Sequence, residues 1–259
     1  MPRPKRLTTA LLTSFALAAA PAYAHHAMEY LETESTTTAA QGESLVYLRY
    51  DYRVDDKNDP SRDRWEITPG LAYGITDRLL ADVHVHLAKF GDGHLEDDRQ
   101  GEFGADGPSP FLEAAAFTLV YRVTDGAWLD VGVAGTLEVP FSRAKDLLGS
   151  KEVVAGTLIL SRELPGHRNV TANLTYEHEG SEGAWEYALA FKTPISADPH
   201  GIAAGIELLG DLEDIDRSWS VLPGVYIPIG SPQTILKAGV ELSKNLESTR
   251  AAVMLMHRF

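Results

Sequence analysis

The chain has 259 residues, 44% of them hydrophobic, with 23 Lys and Arg against 37 Asp and Glu, a formal net charge of −14 and no cysteine. The acidic balance excludes a phosphate-binding footprint, and with it nucleic acid as a partner; cations are the natural counterparts. Without cysteine there is neither a disulfide nor a lipoprotein anchor, whatever compartment the chain reaches.

Residues 1–24 read as an export signal to be removed from the fold. Arg3, Lys5 and Arg6 form a positive start, Leu11 to Ala20 a short apolar core, and Ala22-Tyr23-Ala24 a small–x–small cleavage site. Cleavage there takes three of the 23 cations and none of the 37 acids, leaving a charge of −17. No later apolar run reaches the roughly 18 residues of a membrane helix. A membrane crossing by this chain therefore falls to strands closed into a barrel.

Residues 25–43, HHAMEYLETESTTTAAQGE, lack alternation and are expected as an N-terminal periplasmic arm or plug. From residue 44 to 259 the period is two. Over 44–54, Val46, Leu48, Tyr50, Tyr52 and Val54 share one face, while Arg49, Asp51 and Arg53 share the other. Residues 65–87 read as a hairpin with a short Thr76-Asp77-Arg78 turn. Trp65, Ile67, Leu71, Tyr73 and Ile75 lie on one face of its first strand. Its second strand sets Leu79, Ala81, Val83, Val85 and Leu87 against Leu80, Asp82, His84 and His86. Further strands are expected at about 111–123, 127–141, 152–162, 169–177, the segment around Trp185 to Lys192, 202–210, 218–228, 235–243 and 250–259. Strand 152–162 shows no clear parity. The total is about twelve strands of about ten residues, separated by alternately longer and shorter connections, in a single antiparallel transmembrane β-barrel. Tyr52, Trp65, Tyr73, Tyr121, Trp128, Trp185 and Trp219 fall towards strand ends, where interfacial girdles belong.

The chain ends in AAVMLMHRF, alternate apolar residues closing on Phe259. This resembles the C-terminal signature of Gram-negative outer-membrane barrels. The resemblance implies an outer-membrane location, contact with its lipid, and recognition of the last strand by the barrel-assembly machinery through Phe259. The turn Tyr73-Gly74-Ile75-Thr76-Asp77-Arg78-Leu79 resembles those of small transporter- and porin-like barrels of the phenol-degradation meta-pathway type.

Strand parity directs Arg49, Asp51, Glu66, Asp82, Arg122, Asp130, Glu138, Glu177, Glu186, Glu207, Lys237 and Glu241 into the lumen. Twelve strands enclose more than a filled core and less than a wide pore. A narrow acidic lumen predicts passage of a small solute or cation. The alternative is a closed structural barrel whose buried charges pair off, or one that binds a transition metal. In the latter, His25 and His26 on the arm join His84 and His86, about 7 Å apart on one strand face, as copper or zinc ligands at the periplasmic mouth. No serine can be paired by spacing with the one outward histidine, His257, so no catalytic site and no enzyme is expected.

Overall fold

The computed structural model describes residues 29–54, 62–91, 109–124, 128–198, 200–215, 218–246 and 248–259. The predicted export signal, His25, His26 and most of the connections at 55–63 and 91–108 lie outside them.

Alternation becomes twelve strands: β1 (Ser44–Val54), β2 (Arg64–Thr76), β3 (Leu79–Phe90), β4 (Phe111–Arg122), β5 (Asp130–Pro140), β6 (Val153–Leu164), β7 (Arg168–Glu179), β8 (Glu182–Pro194), β9 (Ala203–Asp211), β10 (Trp219–Ile229), β11 (Ser231–Ser243) and β12 (Thr249–Arg258). Each pairs antiparallel with its sequence neighbour. β1 pairs with β12 from Leu45↔Arg258 to Val54↔Thr249, which closes the barrel and leaves no free edge. No described helix is long and apolar enough to cross a membrane.

Both ends of the barrel chain, Ser44 and Arg258, lie at one end, together with the β2–β3 turn. That end faces the periplasm in an outer-membrane barrel. Tyr73, Tyr121 and Trp128 ring it. Tyr52 pairs with Trp65 and Tyr176 with Trp185 at the opposite rim, where Trp219 begins β10. From Trp65 to Tyr73 is about 27 Å along a strand, and strand tilt brings this near the thickness of the lipid-facing band. The outer connections are not uniformly long: β7 and β8 are joined only by Gly180 and Ser181. At the outer end, α1 (Ser142–Leu148) stops at Gly149, whose φ of 70° suits a residue without a Cβ. Its Ala144 and Leu147 pack with Ala88, Phe90 and Phe111. Beside it Lys145 holds the exposed Glu152 carboxyl below its ordinary range.

The interior explains why β6 shows no parity in the sequence. Residues 29–43, part of the segment expected as a periplasmic arm or plug, are folded up inside the barrel. Tyr30, Leu31 and Ala39 join Leu45, Tyr47, Ala72, Leu80, Val120, Ala134, Ile159, Leu222, Tyr226, Met254 and Met256 in one buried cluster. Around the plug, then, part of the inner wall is itself apolar, and β6 turns Ile159 inward and Val154 and Leu158 outward. Small residues make room for the inserted segment. A Cβ on Gly74 would collide with the carbonyl oxygens of Ala39 and Ala40, and one on Gly132 would crowd Thr36.

Candidate functional site

The inserted segment is a plug. It enters beside β1 and β2, where Gly42 N–H donates to Gly74 O (2.9 Å) and Thr38 Oγ1 to Asp77 O (2.8 Å). It rises to Glu34 and Glu32 and then descends. Tyr30 donates to Asn169 at the periplasmic start of β7 (2.6 Å), and Glu29 meets Lys192 (3.2 Å). A segment without regular structure must find partners for its main-chain groups inside the barrel, and the wall supplies them. The Glu207 carboxylate, fully buried on β9, accepts from Leu31 N–H (2.9 Å), Glu32 N–H (3.1 Å), Thr33 N–H (2.7 Å) and the Thr33 hydroxyl (2.7 Å). Lys237 donates to Tyr30 O (3.1 Å), and Arg49 to Leu31 O (3.0 Å). With its amide assigned from these neighbours, Asn173 accepts from Glu34 N–H (2.7 Å) and donates to Glu34 O (3.0 Å).

Two cavities among the described residues lie above the plug. One, of about 360 Å³, is lined by Glu32, Glu34, Tyr47, Asp82, His84 and His86 among others. The second, of about 680 Å³, runs past Asn173, Glu186, Asp211, Ser220 and Glu241. Glu32, Glu34, Arg53 and Arg250 border both, so the crest of the plug forms a shared floor.

Charges on this floor form a network. Glu32 Oε1 is held by Arg49 and by Arg250 (2.7 Å). Asp51 fixes Arg49 through Nε (2.6 Å) and Nη2 (2.8 Å). Glu241 receives Arg250 (2.6 Å) and the Ser220 hydroxyl (2.7 Å). Higher on the wall, Arg64 bridges Glu66 and Glu113 (2.8 Å to the latter). His84 Nδ1 lies 2.6 Å from Asp82 Oδ1, and His86 Nδ1 lies 2.6 Å from Glu66 Oε1. Tyr47 donates to Asp82 Oδ1 (3.1 Å). Asp82 Oδ2 is buried and has no hydrogen-bond partner among the described residues.

Of the residues directed inward by parity, Arg49, Asp51, Glu66 and Asp82 line the smaller cavity, and Glu186 and Glu241 the larger. Glu138 Oε2 comes within 3.8 Å of His86 Nε2. Glu207 and Lys237 grip the plug instead of facing open space. Arg122 is engaged at the periplasmic rim, donating to Asp77 O (2.8 Å), and Asp130 opens β5 at the same end. The histidines correct one expectation. His84 and His86 follow Leu79 by five and seven residues, about 17 and 24 Å along the strand, so they stand above the plug and not at the periplasmic mouth. Among the described residues no three His, Asp or Glu side chains form a metal-binding group.

Parity also missed several participants. Glu113 is the extra residue of a bulge: His86 pairs with Ala114 and Leu87 with Leu112. The bulge reverses parity at the start of β4 and turns Glu113 inward; the run Leu112-Glu113-Ala114 carries no local sign of it. Glu32 and Glu34 belong to a stretch with no period to read. Arg64 and Arg250 sit at strand ends, where parity is weakest.

No family model and no curated protein matches the chain. Solved structures do. The COG4313 outer membrane channel from Pseudomonas putida F1 has a TM-score of 0.59 at 12% identity, covering 89% of this chain and all (100%) of that one. The KdgM porin in complex with disordered oligogalacturonate has a TM-score of 0.53 at 10% identity, covering 83% and 99%. Outer membrane phospholipase A from Escherichia coli, at 0.46 and 11% identity over 82% and 92%, is also among the matches. The expectation that the chain is no enzyme does not stand: the absence of a legible Ser–His pair in the sequence does not exclude one. The chain is a closed twelve-stranded antiparallel β-barrel, with the fold of the outer-membrane channel and porin structures it matches.

Proposed function

We propose that this barrel is a plug-gated channel for a small polar solute, entered from the outer face and closed by residues 29–43. The observation that carries the reading is the way the plug is held. Its main-chain groups bond to ionised or polar wall side chains, Glu207, Lys237, Arg49 and Asn173, and each bond can be exchanged for one to water. The lumen's acidic excess, with Glu138, Glu177, Glu186 and Asp211 on β5, β7, β8 and β9, favours cations once the path is open. The KdgM porin is described with oligogalacturonate, a polyanion; the acidic wall here points away from that ligand.

The test is planar-bilayer conductance of the intact barrel and of a variant lacking residues 29–43, in a potassium chloride gradient. A closed or rarely open intact barrel and a conducting, cation-preferring deletion variant are expected. A folded deletion variant that never conducts refutes the channel.

A second reading, copper or zinc at His84 and His86, draws on one observation. Carboxylates hold both Nδ1 atoms, as they do in many metal-ligating histidines, which leaves Nε2 to bind. Further ligands would have to come from His25 and His26. Copper titration decides it: unchanged affinity in a His25→Ala/His26→Ala variant removes this reading.

A further inference from the structure

The way Glu32 is held resembles the binding of a ligand more than the anchoring of a loop. Two arginines, Arg49 from β1 and Arg250 from β12, converge on one carboxylate oxygen. Each is pre-positioned by an acid of the wall, Asp51 or Glu241, and the latter is steadied by Ser220. Paired guanidinium groups with their orientation fixed in advance are a carboxylate receptor. Arg49 lines the smaller cavity, and Arg250 and Glu32 border both, so the receptor stands on the floor that the two cavities share.

The same smaller cavity holds the opposite chemistry. Asp82 is buried, and its Oδ2 has no hydrogen-bond partner among the described residues. Glu34 lines the cavity beside it. Asp82 hangs from the hydroxyl of Tyr47, which lies two residues before Arg49 on β1, about 7 Å along the strand. A buried carboxylate oxygen with no donor is costly, and an ammonium group would supply one.

Resting on the channel reading, the geometry points to a zwitterionic solute of amino-acid type. Its carboxylate takes the Arg49–Arg250 clamp and its ammonium takes Asp82 and Glu34. In the closed barrel Glu32 occupies the clamp as a tethered substitute. Because Glu32 N–H and its neighbours are also what Glu207 holds, displacing the Glu32 side chain loosens the crest of the plug. The solute that fits the clamp is thereby the solute that opens the gate.

The experiment is calorimetric titration of the full-length barrel in detergent with three matched probes: 4-aminobutanoate, butanoate and butylammonium. 4-Aminobutanoate is expected to bind most tightly. Glu32→Gln, which removes the competing carboxylate, should tighten it by about tenfold or more, since the clamp no longer has to be vacated first. Arg250→Lys, which keeps the charge and loses the fork, should weaken it. Equal binding of butanoate or butylammonium, unchanged affinity in Glu32→Gln, or no binding to either protein overturns the assignment. Conductance is read separately. A plug-deleted barrel that conducts while the intact one binds no probe refutes the clamp and leaves the channel. A barrel that binds as expected and never conducts refutes the channel and leaves the clamp.

Discussion

Glu207→Gln is the sharpest perturbation of the gate. Glu207 Oε1 accepts from Leu31 N–H, and Oε2 accepts from Glu32 N–H, Thr33 N–H and the Thr33 hydroxyl. Glutamine keeps one acceptor oxygen. Placed where Oε2 stands, it retains three bonds without charge assistance and turns an NH₂ towards the Leu31 N–H. Losing one charge-assisted bond costs about 1.5–3 kcal/mol, and neutralising three others about 0.5–1 kcal/mol each. The plug is then destabilised by roughly 3–6 kcal/mol, which raises the ratio of open to closed barrels by roughly two to four orders of magnitude. Glu207 contributes no side-chain bond to the strand ladder, so the barrel itself should melt as before. Single-channel recording measures the open probability directly. A variant with intact barrel stability and the parent's open probability would refute the claim that this carboxylate holds the gate.

Two further outcomes test the geometry. Gly74→Ala puts a Cβ against the Ala39 and Ala40 carbonyls, which are main-chain atoms unable to swing aside, so the plug must shift and the open probability rise. Gly135→Ala, whose Cβ meets nothing within 4 Å, is the matched control and should leave it unchanged; equal behaviour of the two defeats the argument. Trp128, 73% exposed with the Arg162 guanidinium 4.5 Å from its ring centre, belongs to the periplasmic girdle. With Trp65, Trp185 and Trp219 changed to Phe, its fluorescence should be quenched by lipids brominated near the headgroup. Quenching by aqueous iodide alone would displace that girdle.

Strand number, strand bounds and the lipid-facing side were legible in the sequence because alternation is a local property. Val46 to Val54 and Leu79 to Leu87 declare their two faces without reference to any other segment. The apolar band and its aromatic ends follow from the bilayer, which imposes the same requirement on every strand. The same logic led to acids in the lumen, since a polar residue between two lipid-facing ones has only one direction left.

The interior answers to no such local rule. Glu207 finds its partners 174 to 176 residues away, and Lys237 reaches Tyr30 across 207. A segment without a period, 29–43, carries no record of where it will lie. Only closure of β1 on β12 creates the cavity that it fills. The bulge at Glu113 reverses a parity that the residues alone keep, and β6 looks featureless because its inner face meets the plug instead of water. By itself the sequence determined that this chain wraps a lipid-facing wall around a polar interior. Tertiary structure decided that the interior is stoppered, and with which side chains, because a plug is specified by contacts between segments brought together only when the barrel closes.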